Sequence, residues 1–435
     1  MKILFLHNYY QFLGGEDLSF NSEVRQLRGH GHEVVTLTRD NRDMNPPALH
    51  QIGLGKAGMA ARTLWSHSAS REIDRAIKLH RPDIMHCNNL FPQLSASVYR
   101  PARLAGVPVV QALRNYRYFC ANSFLFRDGK VCEDCLSKSF PTSGIRHACY
   151  RDDRLATSTV VAMQWTHRTI GTWRRAVDAY FTPSEFARSV YVRGGFDPNQ
   201  VHVKPNFIDP DPGPGPGQSG DAIFVGRLSQ EKGLDVILRA WKRLPDPPTI
   251  QIVGDGPLRE QVITMANENP RINYVGHLSH ADLLQRIGDA KFLVMPSVWY
   301  ETFGRTIAES FSRGTPVLAS RLGAMEELVD DGVNGFLFTA GVDDDLAKQV
   351  LKIQALSRKD EMEMRQSARD RYLQHYTEPA TYTKLMEIYD AAETRSRKRR
   401  GRTTVGDHRW LANEVVKPAP AIVNDLTQSS HGQSQ

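Results

Sequence analysis

A dense run of proline and glycine divides this chain into two parts. Residues 209–217 read Asp-Pro-Asp-Pro-Gly-Pro-Gly-Pro-Gly. Proline has no amide hydrogen to donate and glycine loses much conformational entropy on ordering, so such a run can join neither a helix nor an inner strand. We therefore predict a linker over residues 209–219 between an N-terminal domain (1–208) and a C-terminal domain (220–376).

Short apolar runs alternate with amphipathic stretches on both sides of the linker. In the N-terminal half the pattern predicts a helix at 16–28 and strands at 2–7, 32–38, 82–86 and 107–112. In the C-terminal half it predicts helices at 233–244, 280–287 and 304–312 and strands at 222–226, 249–253, 272–275, 291–296 and 316–319. Strands that alternate with helices form parallel sheets. The predicted fold class is α/β, with two Rossmann-like, doubly wound domains that face each other across a cleft.

The end of the sequence carries most of the excess positive charge. The 435 residues have a net charge of +7, and basic residues cluster at positions 395, 397, 398, 399, 400 and 402. We predict a helix at 377–394, for which packing back on the N-terminal domain is one option, and a basic, disordered tail at 395–435. The tail is either solvated or bound to anionic lipid headgroups. It lacks the interleaved aromatic residues of nucleic-acid-binding segments, so no nucleic-acid partner is expected.

The sequence shows no targeting or spanning segment. The apolar run near the N-terminus covers residues 3–6 only, and no run approaches the roughly 20 residues of a spanning helix. We therefore expect a cytoplasmic protein, either free or at the inner face of a membrane. Residues 154–180 mix apolar and basic side chains, which is typical either of a core helix or of an interfacial helix that contacts an anionic membrane and a lipid-linked acceptor.

Three loops that follow predicted strands are candidate binding sites, because ligands of doubly wound sheets bind beyond the carboxyl ends of the strands. Gly14-Gly15 precede a helix, where they either let the backbone approach a phosphate or make an ordinary turn. Arg227 and Lys232 form a basic pair that either neutralises a diphosphate or is simply solvated. Glu301 and Glu309 lie before and inside the next helix, where a carboxylate can accept hydrogen bonds from the hydroxyls of a sugar.

Four segments of the sequence resemble the family 4 retaining glycosyltransferases, which have the GT-B fold, in particular the members that assemble bacterial polysaccharides. They are Gly226-Arg-Leu228 with Lys232-Gly233, the stretch from Glu301 to Glu309, Gly254-Asp-Gly-Pro257, and Thr182-Pro-Ser-Glu-Phe186. The resemblance covers residues 1–392. It implies transfer of a sugar from a nucleoside diphosphate to a glycan or lipid-linked acceptor, in cell-surface polysaccharide synthesis. It also implies that transfer needs no cofactor and retains the anomeric configuration.

The same resemblance implies roles for individual residues. Arg227 and Lys232 would hold the donor diphosphate, Glu309 the ribose hydroxyls, and Glu301 the transferred sugar. The rest of the implied donor site consists of the amides of Thr302, Phe303 and Gly304 at phosphate, of Gly14 and Gly15 closing over it, and of the backbone near Gly276 at the base.

One position departs from the family pattern. Family members commonly place a histidine after the fourth strand of the N-terminal domain, where this chain has Arg114 followed by Asn115. Arginine stays protonated at neutral pH and cannot act as a base. Three interpretations remain open: Arg114 binds an acidic group of the acceptor or donor, His86 or His7 takes over the polar role, or Arg114 is a diverged surface residue.

Four of the five cysteines lie within a predicted insertion at residues 116–150. They are Cys120, Cys132, Cys135 and Cys149, and the middle two form a Cys-x2-Cys pair. Four thiolates suffice for a tetrahedral zinc site, with His147 as a spare ligand, and a cytosolic compartment disfavours disulfides. Two interpretations remain open, a structural zinc site and four reduced cysteines without a metal.

Two other functions compete with glycosyl transfer. One is another GT-B enzyme, such as a sugar-nucleotide epimerase or a phosphorylase. The other is a non-catalytic protein that binds a sugar nucleotide within a polysaccharide-assembly complex, an alternative that Arg114 motivates. Hydrolysis or transfer of a donor by the purified protein separates these functions.

Overall fold

The computed structural model describes residues 1–11, 14–44 and 54–401. The N-terminal half contains eight strands: β1 (Lys2–Tyr9), β2 (Glu33–Asp40), β3 (Ile84–Cys87), β4 (Val109–Ala112), β5 (Phe126–Arg127), β6 (Lys130–Val131), β7 (Ala179–Thr182) and β8 (Val201–Val203). Its helices are α1 (Gly15–Gly29), α2 (Leu54–Leu64), α3 (His67–His80), α4 (Tyr99–Ala105), α5 (Thr142–Arg146), α6 (Arg154–Thr169), α7 (Thr172–Ala176) and α8 (Glu185–Arg193). Six of the strands form one sheet in the order β2-β1-β3-β4-β7-β8. Every neighbouring pair in it is parallel.

The C-terminal half repeats this architecture. Its strands are β9 (Ala222–Val225), β10 (Ile250–Val253), β11 (Ile272–Gly276), β12 (Phe292–Met295), β13 (Val317–Ser320) and β14 (Gly335–Phe338). The helices are α9 (Leu234–Arg243), α10 (Arg259–Glu268), α11 (His280–Asp289), α12 (Arg305–Ser312), α13 (Ala324–Leu328), α14 (Asp343–Gln354), α15 (Arg358–His375) and α16 (Glu378–Arg400). The six strands form a second parallel sheet in the order β11-β10-β9-β12-β13-β14. Two parallel, doubly wound sheets confirm the predicted fold class.

The strand orders fix where each domain can bind a ligand. In the C-terminal sheet the chain first builds outward from β9 to β11 and then restarts on the other side of β9 with β12. In the N-terminal sheet the corresponding reversal lies between β1 and β3. A crevice forms beyond the carboxyl ends of the strands at such a reversal. The loops after β9 and β12, and those after β1 and β3, therefore border the two candidate binding sites.

The linker is held against the C-terminal domain. The amide of Gly215 donates to the carbonyl of Arg313 at 2.8 Å, and that of Gly217 donates to the carbonyl of Gly288 at 3.0 Å. A Cβ on Gly215 would lie 2.3 Å from the backbone of Gly288, so only glycine allows this approach. The proline and glycine residues thus form no helix or strand but still take a fixed path.

The last helix returns to the N-terminal domain. Leu385, Ile388 and Tyr389 of α16 are buried in the same core cluster as Phe5 of β1 and Phe181 of β7. The burial of these large apolar side chains is the main force that attaches the helix, because apolar surface leaves water.

The predicted boundary between this helix and a disordered tail at residue 395 is wrong. Helix α16 continues to Arg400, and its basic last turn contacts the domain. Arg399 forms an ion pair with the buried Asp178, and Arg395 lies 3.7 Å from the carboxylate of Asp197. These acidic partners neutralise part of the charge that the sequence assigns to a free tail. Residues 402–435 lie outside the described residues.

Candidate active site

The C-terminal side of the candidate site is built where two loops of that domain meet. Gly233, at the end of the loop that follows β9, has φ +69°. A Cβ on Gly233 would lie 1.9 Å from the carbonyl oxygen of Pro296, the residue that follows β12. Likewise, a Cβ on Gly254 would lie 1.9 Å from the carbonyl oxygen of Gly226. Glycine at position 233 lets the loop after β9 touch the loop after β12, which brings Lys232 and Glu301 to one point, and glycine at position 254 lets the loop after β10 touch the start of the loop after β9.

Glu301 is buried and accepts three hydrogen bonds on a single oxygen. Its Oε1 accepts from Lys232 Nζ at 2.6 Å, from Ser297 Oγ at 2.9 Å and from Trp299 Nε1 at 2.9 Å. The side chain of Glu301 is 9% exposed, whereas that of Lys232 is 23% exposed. The indole ring also faces the ammonium, with 5.3 Å between Lys232 Nζ and the ring centroid of Trp299. Ser297 and Trp299 therefore hold the ion pair in place, and the more exposed Lys232 is accessible to a ligand.

Glu309 forms a second buried carboxylate one turn inside α12. Its Oε1 lies 2.9 Å from Arg305 Nε and 3.2 Å from His280 Nε2. Burial alone would raise the pKa of Glu309, but His280 and Arg305 outweigh it and lower the pKa below its usual value. The carboxylate is therefore ionised at neutral pH and can accept hydrogen bonds from a diol.

The remaining donor residues predicted from the sequence lie around these carboxylates. Gly304 has φ +83° and precedes the first residue of α12, whose free amides favour an anion. Phe303 is buried in the core beneath the helix. Gly276 ends β11 and accepts a hydrogen bond from the amide of Gly254 at 2.9 Å. Arg227 is exposed in the loop after β9.

Thr302 connects the two domains. Its Oγ1 donates to the carbonyl oxygen of Arg114 at 3.1 Å, and its own carbonyl accepts from Ser184 Oγ at 2.7 Å. Both partners belong to the N-terminal domain. The loop that carries Glu301 is therefore attached directly to the opposite side of the cleft.

On the N-terminal side, Gly14 and Gly15 begin α1. The amide of Gly14 donates to Asp17 Oδ2 at 2.7 Å, and Asp17 Oδ1 contacts His7 Nε2 at 2.9 Å. A Cβ on Gly15 would meet no atom within 4 Å, so this backbone is open to a ligand. His7 is fully buried by these contacts and holds the loop in place.

The prediction that His86 takes a polar role in the cleft is wrong. Its ring is fully buried, stacks on Phe5 with 4.0 Å between centroids, and contacts Tyr389 OH through Nδ1 at 2.8 Å. Burial lowers the pKa of His86 to about 3, despite the opposing charge of Glu23. The residue is a neutral core histidine that helps to bind α16.

The two interpretations of Arg114 as an anion-binding or a surface residue are also wrong, because the side chain is buried and its nitrogens are bound within the domain. Nη2 donates to Glu23 Oε1 at 2.6 Å, Nε donates to Asn88 Oδ1 at 2.8 Å, and Nη1 donates to Asn206 Oδ1. Lys204 Nζ donates to the same oxygen of Glu23 at 2.5 Å. Burial would raise the pKa of Glu23, but Arg114 and Lys204 outweigh it and lower the pKa to about 2. Arg114 therefore has a structural role: it links Glu23, Asn88 and Asn206 inside the N-terminal domain.

Asn115 points to an acidic residue that sequence reasoning missed. Asn115 Nδ2 donates to Glu16 Oε1 at 2.6 Å, and Tyr10 OH donates to Glu16 Oε2 at 2.8 Å. Glu16 follows the Gly14-Gly15 pair at the start of α1, and that position is the signal that could have identified it. Trp299 and Arg305, which contact Glu301 and Glu309, were also missed.

Comparison with known protein families identifies the family to which this chain belongs. The family described as Glycosyl transferase 4-like domain matches residues 14–206, and the one described as Glycosyl transferases group 1 matches residues 210–371. The two matches are separated only by residues 207–209, at the start of the linker, and together they leave out those residues and the ends of the chain. The chain belongs to the family 4 glycosyltransferases with the GT-B fold. Its sulfoquinovosyl transferase relative from Arabidopsis thaliana, SQD2, is 24% identical over 94% of this chain and 77% of that protein.

Two solved structures share the fold of this glycosyltransferase. Anabaena HepE in complex with UDP-glucose superposes with a TM-score of 0.61 and 18% identity, over 90% of this chain and all of HepE. Sucrose-phosphate synthase from Thermosynechococcus elongatus superposes with a TM-score of 0.62 and 16% identity, over 90% of this chain and 98% of that one. At such identities the likeness concerns the fold alone.

The cysteine-containing insertion of the glycosyltransferase contacts the loop after β12, which carries Trp299 and Glu301. The ring of Phe124 packs edge-on against Trp299, with 5.2 Å between centroids. Behind this contact, one small cavity is lined by Cys120, Cys132, Cys135 and Cys149. Burial and the neighbouring thiols raise the pKa of Cys135 to about 12. Within residues 1–11, 14–44 and 54–401, no three His, Cys, Asp or Glu side chains are arranged as a metal site, so zinc binding would require the thiols to move closer together.

Helix α6 of the glycosyltransferase has two different faces. Val160, Val161 and His167 are buried, which agrees with the interpretation as a core helix. Trp165, on the other face, is 45% exposed and contacts the exposed ring of Phe140. In the part of the chain that the structure describes, no helix is both long and apolar enough to cross a membrane.

Proposed function

We propose that this glycosyltransferase transfers a sugar from a nucleoside diphosphate sugar to a hydroxyl of a glycan or lipid-linked acceptor with retention of configuration, in cell-surface polysaccharide synthesis. The observation that carries the proposal is the Lys232–Glu301 pair, 2.6 Å apart, at the strand-order reversal of the C-terminal sheet. That is where a doubly wound domain binds a nucleotide. HepE, which shares the fold, has been solved with UDP and with UDP-glucose.

The donor diphosphate would lie between the basic side chains and the start of α12. Lys232 and the exposed Arg227 supply two positive charges, and the first amides of α12 add their partial charges. The ionised Glu309 would accept the ribose hydroxyls, and Glu301 would accept a hydroxyl of the transferred sugar. Gly276 would lie near the base, and Gly15 would face the diphosphate from the N-terminal domain. No metal has a part in this arrangement.

The chemistry follows from the charges of the site. The bond between the anomeric carbon and the diphosphate oxygen breaks, and the electron pair leaves with that oxygen. The acceptor hydroxyl forms the new glycosidic bond on the same face of the sugar, and its proton passes to the departing diphosphate. Lys232 and Arg227 stabilise the negative charge that develops on the diphosphate, which is where fixed charges are most effective. His86 takes no part, because it is buried in the core.

A non-catalytic protein that binds a sugar nucleotide is the alternative function. It was motivated by Arg114, whose nitrogens are engaged by Glu23, Asn88 and Asn206 within the domain. Hydrolysis or transfer of a donor by the purified protein separates the two functions.

Product analysis tests the proposal. The purified chain is incubated with a panel of nucleoside diphosphate sugars, starting with UDP-glucose, and with simple glycoside acceptors. Nuclear magnetic resonance then gives the anomeric configuration of the product. Release of nucleoside diphosphate and a product with the donor's configuration are expected. Inversion would exclude the front-face mechanism, and the absence of both transfer and donor hydrolysis across the panel would overturn the proposal.

A further inference from the structure

A cavity opens in the N-terminal domain beyond the carboxyl ends of β1, β3 and β4. Its empty volume is about 630 Å³, counting the part that is open to solvent. Apolar side chains from the loop after β3, from α4, from the loop after β4 and from helices α6 and α7 form much of its wall, namely Leu90, Phe91, Tyr99, Tyr118, Met163 and Trp173. The half-buried Glu16 and Asn115 line it where it meets the cleft.

The polar side chains in the wall are occupied by bonds within the protein. Gln111 Nε2 donates to the carbonyl of Ala112 at 2.7 Å, and Gln111 Oε1 accepts from Tyr99 OH at 2.7 Å. His167 contacts Thr172 Oγ1 at 3.1 Å through Nδ1 and the carbonyl of Leu64 at 2.9 Å through Nε2. A sugar inside the cavity would lose its hydrogen bonds to water without gaining replacements from these groups, which is unfavourable. An apolar group has no such loss and gains by leaving water.

Glu16 differs from these groups because it is a carboxylate, which makes stronger hydrogen bonds than a neutral acceptor, and because it lines the cavity where the cavity meets the cleft. Its two oxygens accept from Asn115 Nδ2 at 2.6 Å and from Tyr10 OH at 2.8 Å. A carboxylate can accept about four hydrogen bonds, so each oxygen can accept one more. The two existing bonds fix the orientation of the carboxylate, and a sugar hydroxyl can bind to it without rearrangement.

We propose that the acceptor is amphiphilic, with a hydroxylated head that binds Glu16 and an attached apolar group that occupies the cavity. The inference rests on the proposed function, because it describes the acceptor of that reaction. Both an alkyl or isoprenoid chain and an aromatic ring have the required chemistry. A free hydrophilic glycan does not, since it would leave the cavity empty.

Binding of three small glucosides tests the inference on the full chain. Methyl, octyl and phenyl glucosides share a head and differ in their apolar group, and the octyl compound is used below its micelle-forming concentration. Isothermal titration calorimetry gives the affinities. We expect octyl or phenyl glucoside, or both, to bind roughly tenfold or more tightly than methyl glucoside, because about two buried methylene groups account for a tenfold change.

Variants locate the binding. Ala96 lines the cavity, so Ala96→Leu fills it and should abolish the preference for the apolar glucosides. Met163→Phe, from α6, is a second filling variant in case the first does not fold. Ala266→Leu, on α10 of the other domain, is the matched control and should leave the preference unchanged. Glu16→Gln should weaken all three glucosides by a similar factor, because it changes the head site alone.

The outcomes separate this inference from the proposed function. A preference for octyl glucoside alone identifies a chain, and one for phenyl glucoside alone identifies a ring. Equal affinity for all three glucosides, or a preference that survives both filling variants, overturns the inference. Equal KM values of the three as acceptors, with transfer intact, overturn it while the proposed function stands. A preserved preference without any sugar transfer contradicts the proposed function instead.

Discussion

Lys232 and Glu301, which are 69 positions apart in the sequence, form an ion pair with 2.6 Å between Nζ and Oε1. Lys232 is the last residue of a short 3-10 helix (Gln230–Lys232), and Glu301 belongs to no helix or strand. Lys232 ends a loop after β9, Glu301 lies in a loop after β12, and the contact of Gly233 with Pro296 brings the loops together. Under the proposed function, a diphosphate at Lys232 would lie beside the carboxylate that we propose for the transferred sugar, so one contact would organise both parts of a donor.

Removal of the Glu301 carboxylate should slow transfer more than it weakens donor binding. Glu301→Gln keeps the shape of the side chain and loses the charge opposite Lys232. Transition-state contacts of this kind contribute about 100- to 1,000-fold to kcat, so we expect a loss in that range. Steady-state kinetics measures it, and Glu326→Gln, on the exposed surface of α13, is the control. An unchanged kcat would remove Glu301 from the reaction.

Glu23 should stabilise the fold in a manner that depends on pH. Its pKa of about 2 in the folded protein lies below the ordinary 4.5, so its contribution is present above pH 4.5 and is lost as pH falls toward 2. Breaking a buried pair costs about 3–5 kcal/mol. Glu23→Gln should therefore have a melting temperature well below that of the native protein at pH 7. This difference in melting temperature, the gap between the two proteins, should become smaller below pH 4.5. A gap that is independent of pH, or as small as that of the exposed control Glu33→Gln, would contradict this.

His86 should affect stability and not the pH profile of transfer. The ring is neutral in the folded state down to about pH 3 but is protonated in the unfolded chain below about pH 6.5. Folding therefore loses stability as pH falls from 6.5 toward 3, and His86→Phe should reduce that loss while it removes the bond to Tyr389. We expect the same inflections in kcat/KM for both proteins. Disappearance of an inflection near neutral pH would make His86 a titrating group of the reaction.

The four cysteines should bind zinc when the chain is prepared without chelator. We expect about one zinc per chain and slow reaction of Cys120, Cys132, Cys135 and Cys149 with a thiol reagent until a chelator is added, because thiolates prefer this metal. Elemental analysis and thiol titration measure this, and Cys132→Ser should lose the metal. Absence of metal, with all four thiols freely reactive, would show that the cysteines are reduced and unligated.

Much of the fold follows from the sequence, because alternation of strand and helix is a local signal. Strand β9 was predicted at 222–226 and observed at Ala222–Val225, and helix α9 was predicted at 233–244 and observed at Leu234–Arg243. Strands β7, β8 and β14 were not predicted. Length is not the reason, because β9, which was predicted, is also four residues long; a short apolar run does not by itself distinguish a strand from a buried helix segment.

The site was less accessible to sequence reasoning, since it depends on contacts between distant segments. Glu301, Glu309 and Lys232 were singled out because their segments follow predicted strands, and the resemblance added their expected roles, but their partners Trp299, Arg305 and His280 have no motif. His86 and Arg114 were misplaced because burial is a tertiary property. A histidine at the end of a strand can face either the cleft or the core. His86 faces the core because it contacts Tyr389 of α16, which lies 303 positions later in the sequence.

Calorimetry of donor binding tests the central claim most directly. The panel of nucleoside diphosphate sugars is titrated into the native chain, Lys232→Met, Glu309→Gln and the control Lys242→Met, an exposed lysine of α9. The account predicts that one nucleotide class binds the native chain and the control equally, and that both site variants lose roughly tenfold or more in affinity, as expected for charge-assisted hydrogen bonds. Donor binding that is unchanged in both site variants would contradict the account, because the donor would then lie elsewhere.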